Sequence, residues 1–192
     1  MRRMPQCLIR GGRLVDAGGV ATADVRIVDG RVADVGSLVP RDGERVISAT
    51  GCLVLPGLVD LHVHLDDEVG GVPIADGFAA GTEAAVRGGV TTVCAFVTQR
   101  SGEGLGEAVG RMAARAAGAC HGDVALHLTP TGDDWDWGTI ADLVAAGLGT
   151  VKLYTTYRSA GLDTGYDRLE AAMGRLARLG LGLLVHCEDE ET

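Results

Sequence analysis

The pattern of hydrophobic and polar residues changes character once along the chain. Before residue 50, short apolar runs alternate with polar residues, a pattern typical of strands with one face exposed to water. From Pro56 onward, nearly continuous apolar runs alternate with stretches of helical spacing. This order of strands and helices predicts an α/β fold with a parallel sheet and right-handed crossovers.

The first fifty residues predict a small antiparallel sheet with one wet face. The alternating runs 24–28 and 31–35 flank Asp29-Gly30, a strong hairpin signal because both turn positions need a positive φ. Gly11-Gly12 predicts a turn earlier in the chain, and Val46-Ile47 begins a further strand.

The rest of the chain predicts five strands, each followed or preceded by a helix. The strands cover about 58–64, 91–96, 124–128, 150–154 and 181–186, and the helices about 76–87, 105–117, 139–146 and 167–179. Thr139 with Asp142, and Thr164 with Asp167, resemble capping boxes at the starts of the last two helices.

Five strand–helix units do not close an eight-stranded barrel, which typically needs about 250 residues. Two arrangements therefore stay open for the 192 residues. The sheet is either an open five-stranded one, or the chain is part of something longer.

Composition narrows the class of protein. The net charge of −9 argues against binding to nucleic-acid phosphates, which needs a basic surface. Five scattered cysteines without a Cys-x-x-Cys pair indicate neither a disulfide framework nor a zinc knuckle, and favour a reducing cytoplasm. No window approaches the roughly 18 to 20 apolar residues of a membrane span, so we expect no membrane association.

The candidate chemistry lies where strands end. His62 and His64 close the first predicted strand of the second region and point to the same face, because strand residues i and i+2 share a face. Lys152 lies inside the fourth strand and His186 ends the fifth. Functional groups of parallel α/β folds gather at the carboxyl ends of strands, so these residues are predicted to share one rim.

Lys152 is the unusual member of this group. A charged lysine is costly to bury, so it must be neutral, paired or modified. A neutral amine can take up carbon dioxide as a carbamate, whose two oxygens could bridge two cations. The alternative is a lysine that reaches past the strand end into solvent.

Together these motifs resemble those of the amidohydrolase superfamily, in particular the branch of dihydropyrimidinases, hydantoinases, dihydroorotases and allantoinases. The resemblance runs from about Leu8 to the end of the chain. The matching segments are Pro56-Gly57-Leu58-Val59-Asp60-Leu61-His62-Val63-His64-Leu65, Gly88-Gly89-Val90-Thr91-Thr92, Val151-Lys152-Leu153-Tyr154 and Val185-His186-Cys187-Glu188.

The resemblance implies two divalent metal ions, usually zinc. In it, His62 and His64 bind the more buried ion, carbamylated Lys152 bridges both, and His186 binds the second. A hydroxide held between the ions would attack the amide carbon of a cyclic substrate.

The resemblance also implies substrate contacts. Tyr157 matches the tyrosine that hydantoinase-like members use to stabilise the oxyanion, although an isolated tyrosine here is also compatible with a surface loop. Leu65 and Tyr154 are the further substrate-contact residues. Dihydroorotases usually carry an arginine where this chain has Asp66, so a neutral ring, a hydantoin or dihydropyrimidine, is predicted.

The predicted architecture is therefore the first five units of a TIM-like (β/α) barrel of the metal-dependent hydrolase type over residues 56–192, preceded by a β-sandwich segment over residues 1–55. The family's later histidine and its proton-shuttling aspartate fall outside the sequence. Alternatives are a dihydroorotase or allantoinase type, a non-catalytic assembly relative, and a half that pairs with another polypeptide. Relatives are often dimers or tetramers, and a homo-oligomer is expected.

Overall fold

A computed structural model describes residues 6–69, 72–132 and 134–189 of the chain. The chain divides into two compact units, Met1–Pro56 and Gly57–Thr192. Each unit is built around its own sheet.

The first unit contains five strands. They are β1 (Cys7–Asp16), β2 (Gly19–Val28), β3 (Arg31–Gly36), β4 (Arg45–Ser48) and β5 (Leu53–Val54). The sheet order is β3-β2-β1-β4, with β5 also paired to β1. The described strands of this unit form one sheet, so the sandwich stays a prediction.

The sequence predicts an antiparallel sheet here, but the observed sheet is mixed. The pairs β1–β2 and β2–β3 are antiparallel, but β4 and β5 both run parallel to β1. A long connection between β3 and β4 allows this direction, whereas tight hairpins join the first three strands. The predicted hairpin at Asp29-Gly30 is confirmed, since both residues have positive φ, 50° and 76°.

The predicted turn at Gly11-Gly12 is wrong. Strand β1 runs through both glycines, and its register against β2 shifts between Ile9 and Gly12, which is a β-bulge. Gly11 has φ of 74°, and its N–H donates to a carboxylate oxygen of Asp24 at 2.8 Å. Gly11 adopts this positive φ without a Cβ penalty, and Gly12 leaves room for the side chains of Val54 and Ala49, so the strand continues through the bulge.

The second unit alternates strands and helices. Its elements are β6 (Leu58–Val63), β7 (Glu68–Val69), β8 (Val72–Pro73), α1 (Phe78–Arg87), β9 (Val90–Thr98), α2 (Leu105–Ala116), β10 (Asp123–Thr129), α3 (Trp137–Ala145), β11 (Thr150–Tyr154), a 3₁₀ turn (Arg158–Ala160), α4 (Tyr166–Arg178) and β12 (Gly182–His186). The five main strands are parallel, in the order β12-β11-β10-β9-β6, and β7 and β8 form a separate hairpin.

All nine predicted elements of this unit are present, because their apolar periodicity is strong. Helices pack on one face of the sheet through two apolar clusters. One cluster includes Leu128, Ile140 and Val151, and the other includes Val93 and Met112. The opposite face carries the polar side chains described below.

Both predicted capping boxes are wrong. Helix α3 begins at Trp137, and Asp136 is its cap, accepting a hydrogen bond from the N–H of Thr139 at 3.1 Å. Helix α4 begins after Gly165 without a side-chain cap, and Thr164 is buried, with its N–H bonded to the Tyr154 carbonyl at 2.9 Å. Among the described helices, none is long and apolar enough to cross a membrane.

Candidate metal centre

The two histidines of β6 follow a bulge in that strand. Asp60 pairs with Val93, and Val63 pairs with Ala95, so two residues of β6 lie opposite one residue of β9. The carboxylate of Asp60 accepts a hydrogen bond from the N–H of His62 at 3.0 Å. This bond satisfies a backbone donor at the bulge and fixes the backbone from which His62 projects.

The rings of His62 and His64 lie side by side, with centroids 5.6 Å apart. Both contact the buried ring of Phe96, at centroid distances of 4.6 and 4.7 Å. Desolvation, and next the nearby amine of Lys152, lower the pKa of His62. A neutral imidazole is the form that binds a metal ion.

His64 has an unsatisfied nitrogen. Its Nδ1 is buried and has no hydrogen-bond partner among the described residues, although a carboxylate oxygen of Asp67 lies 3.7 Å away. A buried polar atom without a partner is rare and calls for an explanation, such as an ion. Asp67 is held in place by the hydroxyl of Thr98, which donates to it at 3.2 Å.

Lys152 is buried, with 4% of its surface exposed. Its strand neighbours Val151 and Leu153 point into the apolar cluster under the helices, so Lys152 projects from the opposite face of the sheet. Its Nζ lies 5.8 Å from the centroid of the Phe96 ring and 5.0 Å from that of Tyr154. The structure thus favours the buried lysine over the alternative that reaches solvent.

The charge of Lys152 has no carboxylate partner within ion-pair distance among residues 6–69, 72–132 and 134–189. Desolvation lowers its pKa, and only the Cys187 thiol opposes that shift. The amine is therefore more readily neutral than an exposed lysine amine. Reaction with carbon dioxide requires the neutral form.

His186 ends β12 beside two tyrosines. Its ring centroid lies 5.7 Å from that of Tyr154 and 5.2 Å from that of Tyr157. Its Nε2 donates to the carboxylate of Glu188 at 3.0 Å, and the Tyr157 hydroxyl lies 3.5 Å from the same nitrogen. Metal binding through Nε2 would require Glu188 to move aside.

Tyr157 has an unusual backbone. Its φ of 63° and ψ of 41° lie in the left-handed region, which costs energy for a bulky side chain. Residues held in this way cluster at functional sites. The strain directs its ring toward Tyr154 and His186, with 43% of the residue exposed.

The predicted ligands form two groups linked through Lys152. His62 and His64 contact Phe96, His186 contacts the tyrosines, and Nζ of Lys152 lies near both groups. Within the described part of the chain, no three His, Cys, Asp or Glu side chains are already close enough to hold an ion. The residues nonetheless fit a metal centre chemically, because they combine two adjacent imidazoles, an unpartnered buried nitrogen and an uncompensated buried amine.

Leu65, a predicted substrate contact, lies in the apolar core rather than with the predicted metal ligands. Its side chain is buried in the apolar cluster with Phe78 and Met112, and a Cβ on Gly81 of α1 would collide with it. The structure therefore places Leu65 in the core between sheet and helices, apart from the other predicted substrate-contact residues.

Asp66 stabilises the start of helix α1. Its carboxylate accepts a hydrogen bond from the N–H of Phe78, at the start of α1, at 2.7 Å, and lies 3.6 Å from the guanidinium of Arg115. The backbone N–H comes from a residue twelve positions later, so local spacing does not reveal the bond.

Sequence reasoning also missed His127 and Phe96. Phe96 is fully buried beneath both histidine rings, and His127 lies 5.0 Å from Phe96 between centroids. A histidine within the apolar strand 124–128 was the available signal for His127.

A cleft of about 570 Å³ opens at the carboxyl ends of the strands, and its lining approaches the predicted ligands at Asp67, which lies 3.7 Å from His64 Nδ1. Asp67, Thr98, Thr131 and Leu162 are among its lining residues. Its volume is in the range of small-molecule sites. Asp67 therefore lies between the cleft and the His64 ring.

Comparison with known proteins identifies the family of the chain. The family described as "Amidohydrolase family" matches residues 53–192. A D-hydantoinase of Geobacillus stearothermophilus is 35% identical over 187 residues, covering 95% of this chain and 39% of that protein. An allantoinase of Rubrobacter xylanophilus is 33% identical over 202 residues, covering 96% and 40%.

A crystal structure of a D-hydantoinase superimposes with a TM-score of 0.91 at 30% identity, covering 97% of this chain and 41% of that one. The five-stranded parallel sheet thus matches a curled half of the TIM-like fold of these hydrolases. The chain spans about 40% of the length of the relatives it matches.

Proposed function

The chain belongs to the amidohydrolase family, and on that premise we propose that it supplies the metal-binding part of a hydrolase that opens a cyclic amide ring. The observation that carries this proposal is the burial of Lys152 with no carboxylate partner in the described part of the chain, on the sheet face that also bears His62 and His64.

In this proposal His62 and His64 would hold one divalent ion and His186 the second, and Lys152, as a carbamate, would be a ligand to both. When bound, two such ions, zinc by preference, supply a shared activated water as nucleophile and polarise the amide carbonyl. The fully buried Phe96 ring packs against both histidine rings and near the Lys152 amine, so it gives these side chains a common apolar support.

Tyr157 is proposed to donate its hydroxyl proton to the oxygen on which charge develops. Its hydroxyl lies 3.5 Å from His186 Nε2, and 43% of the residue is exposed, so the side chain is open to a ligand. A donor fixed before the reaction stabilises the transition state without reorganisation. Tyr154 lines the same group of rings and is proposed as a further substrate contact.

The proposed substrate is a neutral ring, a hydantoin or a dihydropyrimidine. The carboxylate of Asp66 is engaged with helix α1 and Arg115, so this position offers no cation for a carboxylated substrate. Asp67 and Glu68 outnumber Arg100 in the lining of the cleft, and the resulting net negative charge disfavours an anionic ring.

Hydrolysis of a cyclic amide is proposed for the protein rather than for these 192 residues alone, because the relatives are more than twice as long as this chain. In this proposal residues 1–55 belong to a β-sandwich segment and residues 56–192 to the barrel segment, and the protein forms a homo-oligomer. Five cysteines without a disulfide are compatible with the proposed cytoplasmic location.

The test is a substrate panel with zinc measurement. The polypeptide translated from the complete reading frame is loaded with zinc and offered hydantoin, dihydrouracil, dihydroorotate and allantoin. Ring opening of hydantoin or dihydrouracil supports the proposal. Faster turnover of dihydroorotate or allantoin would show that the alternative branch is right, and no turnover with full zinc would favour a non-catalytic relative.

A further inference from the structure

His127 is a buried histidine that the proposed chemistry does not use. It lies in β10, with 6% of its surface exposed, and its ring contacts Phe96 at a centroid distance of 5.0 Å. Phe96 also contacts the rings of His62 and His64, so His127 lies one ring beyond the predicted ligands.

Both nitrogens of His127 have partners. Nε2 lies 2.9 Å from the carbonyl oxygen of Leu61, and Nδ1 is hydrogen bonded with the hydroxyl of Thr150. A carbonyl oxygen only accepts, so Nε2 carries the proton and Nδ1 accepts from the hydroxyl. One neutral tautomer therefore satisfies both bonds.

These bonds connect strands that are not neighbours. In the sheet order β12-β11-β10-β9-β6, two strands separate β6 from β11. The ladder therefore does not join Leu61 of β6 to Thr150 of β11, but the side chain of His127 does.

The two bonded residues lie next to predicted ligands. Leu61 immediately precedes His62 and belongs to the bulge, where the ladder is disrupted. Thr150 lies two residues before Lys152. The backbone at His62 is thus held from two sides, by Asp60 at its N–H and by His127 at the preceding carbonyl.

We propose that His127 is a positioning residue for the metal centre: its imidazole fixes the bulge that carries His62 relative to the strand that carries Lys152. The inference rests on the proposed function for the identity of the ligands. His127 acts through the backbone, so it contacts neither substrate nor ion. Groups that orient metal ligands typically contribute 10- to 100-fold to metal affinity.

Zinc affinity tests the inference through a pair of substitutions. His127→Gln retains an amide N–H able to reach the Leu61 carbonyl, whereas His127→Leu retains bulk without a donor. We expect His127→Leu to weaken zinc binding roughly 10- to 100-fold and His127→Gln to weaken it only about threefold, in competition with a chromophoric chelator. The exposed His121→Leu is the matched control and should bind zinc as the parent protein does.

Each outcome decides the matter. Parent-like zinc affinity in His127→Leu, or equal losses in His127→Leu and His127→Gln, would overturn the positioning role while leaving the proposed metal centre intact. A parent protein that binds no zinc would overturn the proposed function and this inference with it.

The bond itself is tested without metal. In the metal-free chain labelled with ¹⁵N-histidine, long-range proton–nitrogen correlation spectra should show His127 protonated at Nε2 only. The opposite tautomer would place the proton toward Thr150 and overturn the inference. Thermal unfolding of the metal-free variants, measured alongside, shows whether they fold.

Discussion

The amine of Lys152 lies 5.0 Å from the centroid of the Tyr154 ring, on the same face of strand β11. Aromatic contact partly stabilises a buried cation, but it replaces neither water nor a carboxylate. Desolvation therefore still lowers the pKa of Lys152 and makes its neutral form easier to reach than that of an exposed lysine.

Replacement of Lys152 should remove the ligand that is proposed to be shared by the two zinc ions. Lys152→Ala and Lys152→Arg are both expected to lose at least one of two bound zinc ions, since neither side chain forms a carbamate. Zinc per chain, measured by atomic absorption after dialysis, checks this. Retention of two ions by Lys152→Arg would contradict a carbamate at this position.

Tyr157→Phe should lower kcat by roughly 10²- to 10³-fold with little change in KM, because an oxyanion donor acts in the transition state. The measurement is steady-state ring opening by the zinc-loaded enzyme. Tyr166→Phe is the control, since Tyr166 is exposed at the start of α4. An equal loss in both variants would remove the proposed role.

Asp66→Ala should destabilise the fold by about 1 to 2 kcal/mol, because the N–H of Phe78 loses its partner and Arg115 loses its ion pair. Asp66→Asn should lose less, since asparagine keeps an acceptor and tolerates the φ of 52° found here. Urea unfolding measures both. The prediction is wrong if the asparagine variant is the weaker one.

Two glycine substitutions should act in opposite directions. A Cβ on Gly57 would overlap the side chain of Thr91, so Gly57→Ala should cost about 1 to 3 kcal/mol. Gly110 lies inside helix α2 with open space around it, so Gly110→Ala should add about 0.5 to 1 kcal/mol. Thermal and urea unfolding of the two variants should bracket the parent protein.

Glu44 should govern part of the acid stability of the first unit. The Arg26 guanidinium, bonded to it at 2.7 Å, holds the pKa of Glu44 below its usual value. A lowered folded pKa gives stability that is present above the unfolded pKa of about 4.3 and is lost as pH falls through the folded one.

Glu44→Gln should therefore destabilise the protein near neutral pH and flatten the loss of stability from about pH 5 to pH 3. The exposed Glu170→Gln is the control and should keep the parent profile. Urea unfolding across this pH range measures the slope. An unchanged slope in Glu44→Gln would contradict the prediction.

Elements and local turns followed from the sequence because their signals are local. The 3.6- and 2-residue periods located the strands and helices of the second unit, and Asp29-Gly30 located a hairpin whose geometry needs positive φ. The same period placed His62 and His64 side by side, as their 5.6 Å ring separation shows.

The capping residues were harder to predict, because a helix start shifted by two residues changes which side chain reaches the free N–H groups. Asp136, rather than Thr139, caps α3 for this reason. The Gly11-Gly12 pair has the composition of a turn, but the approach of Val54 to Gly12 turned it into a bulge within one strand.

The sequence alone determined the order of strands and helices and the residue types at the strand ends, because periodicity and side-chain chemistry belong to each segment separately. Only the tertiary structure decided that Lys152 is buried with no carboxylate partner among the residues it describes, that Leu65 belongs to the core, and that His127 reaches Leu61 across 66 positions of chain. Such contacts join segments distant in sequence, and no local pattern encodes a distance that exists only once the sheet has formed.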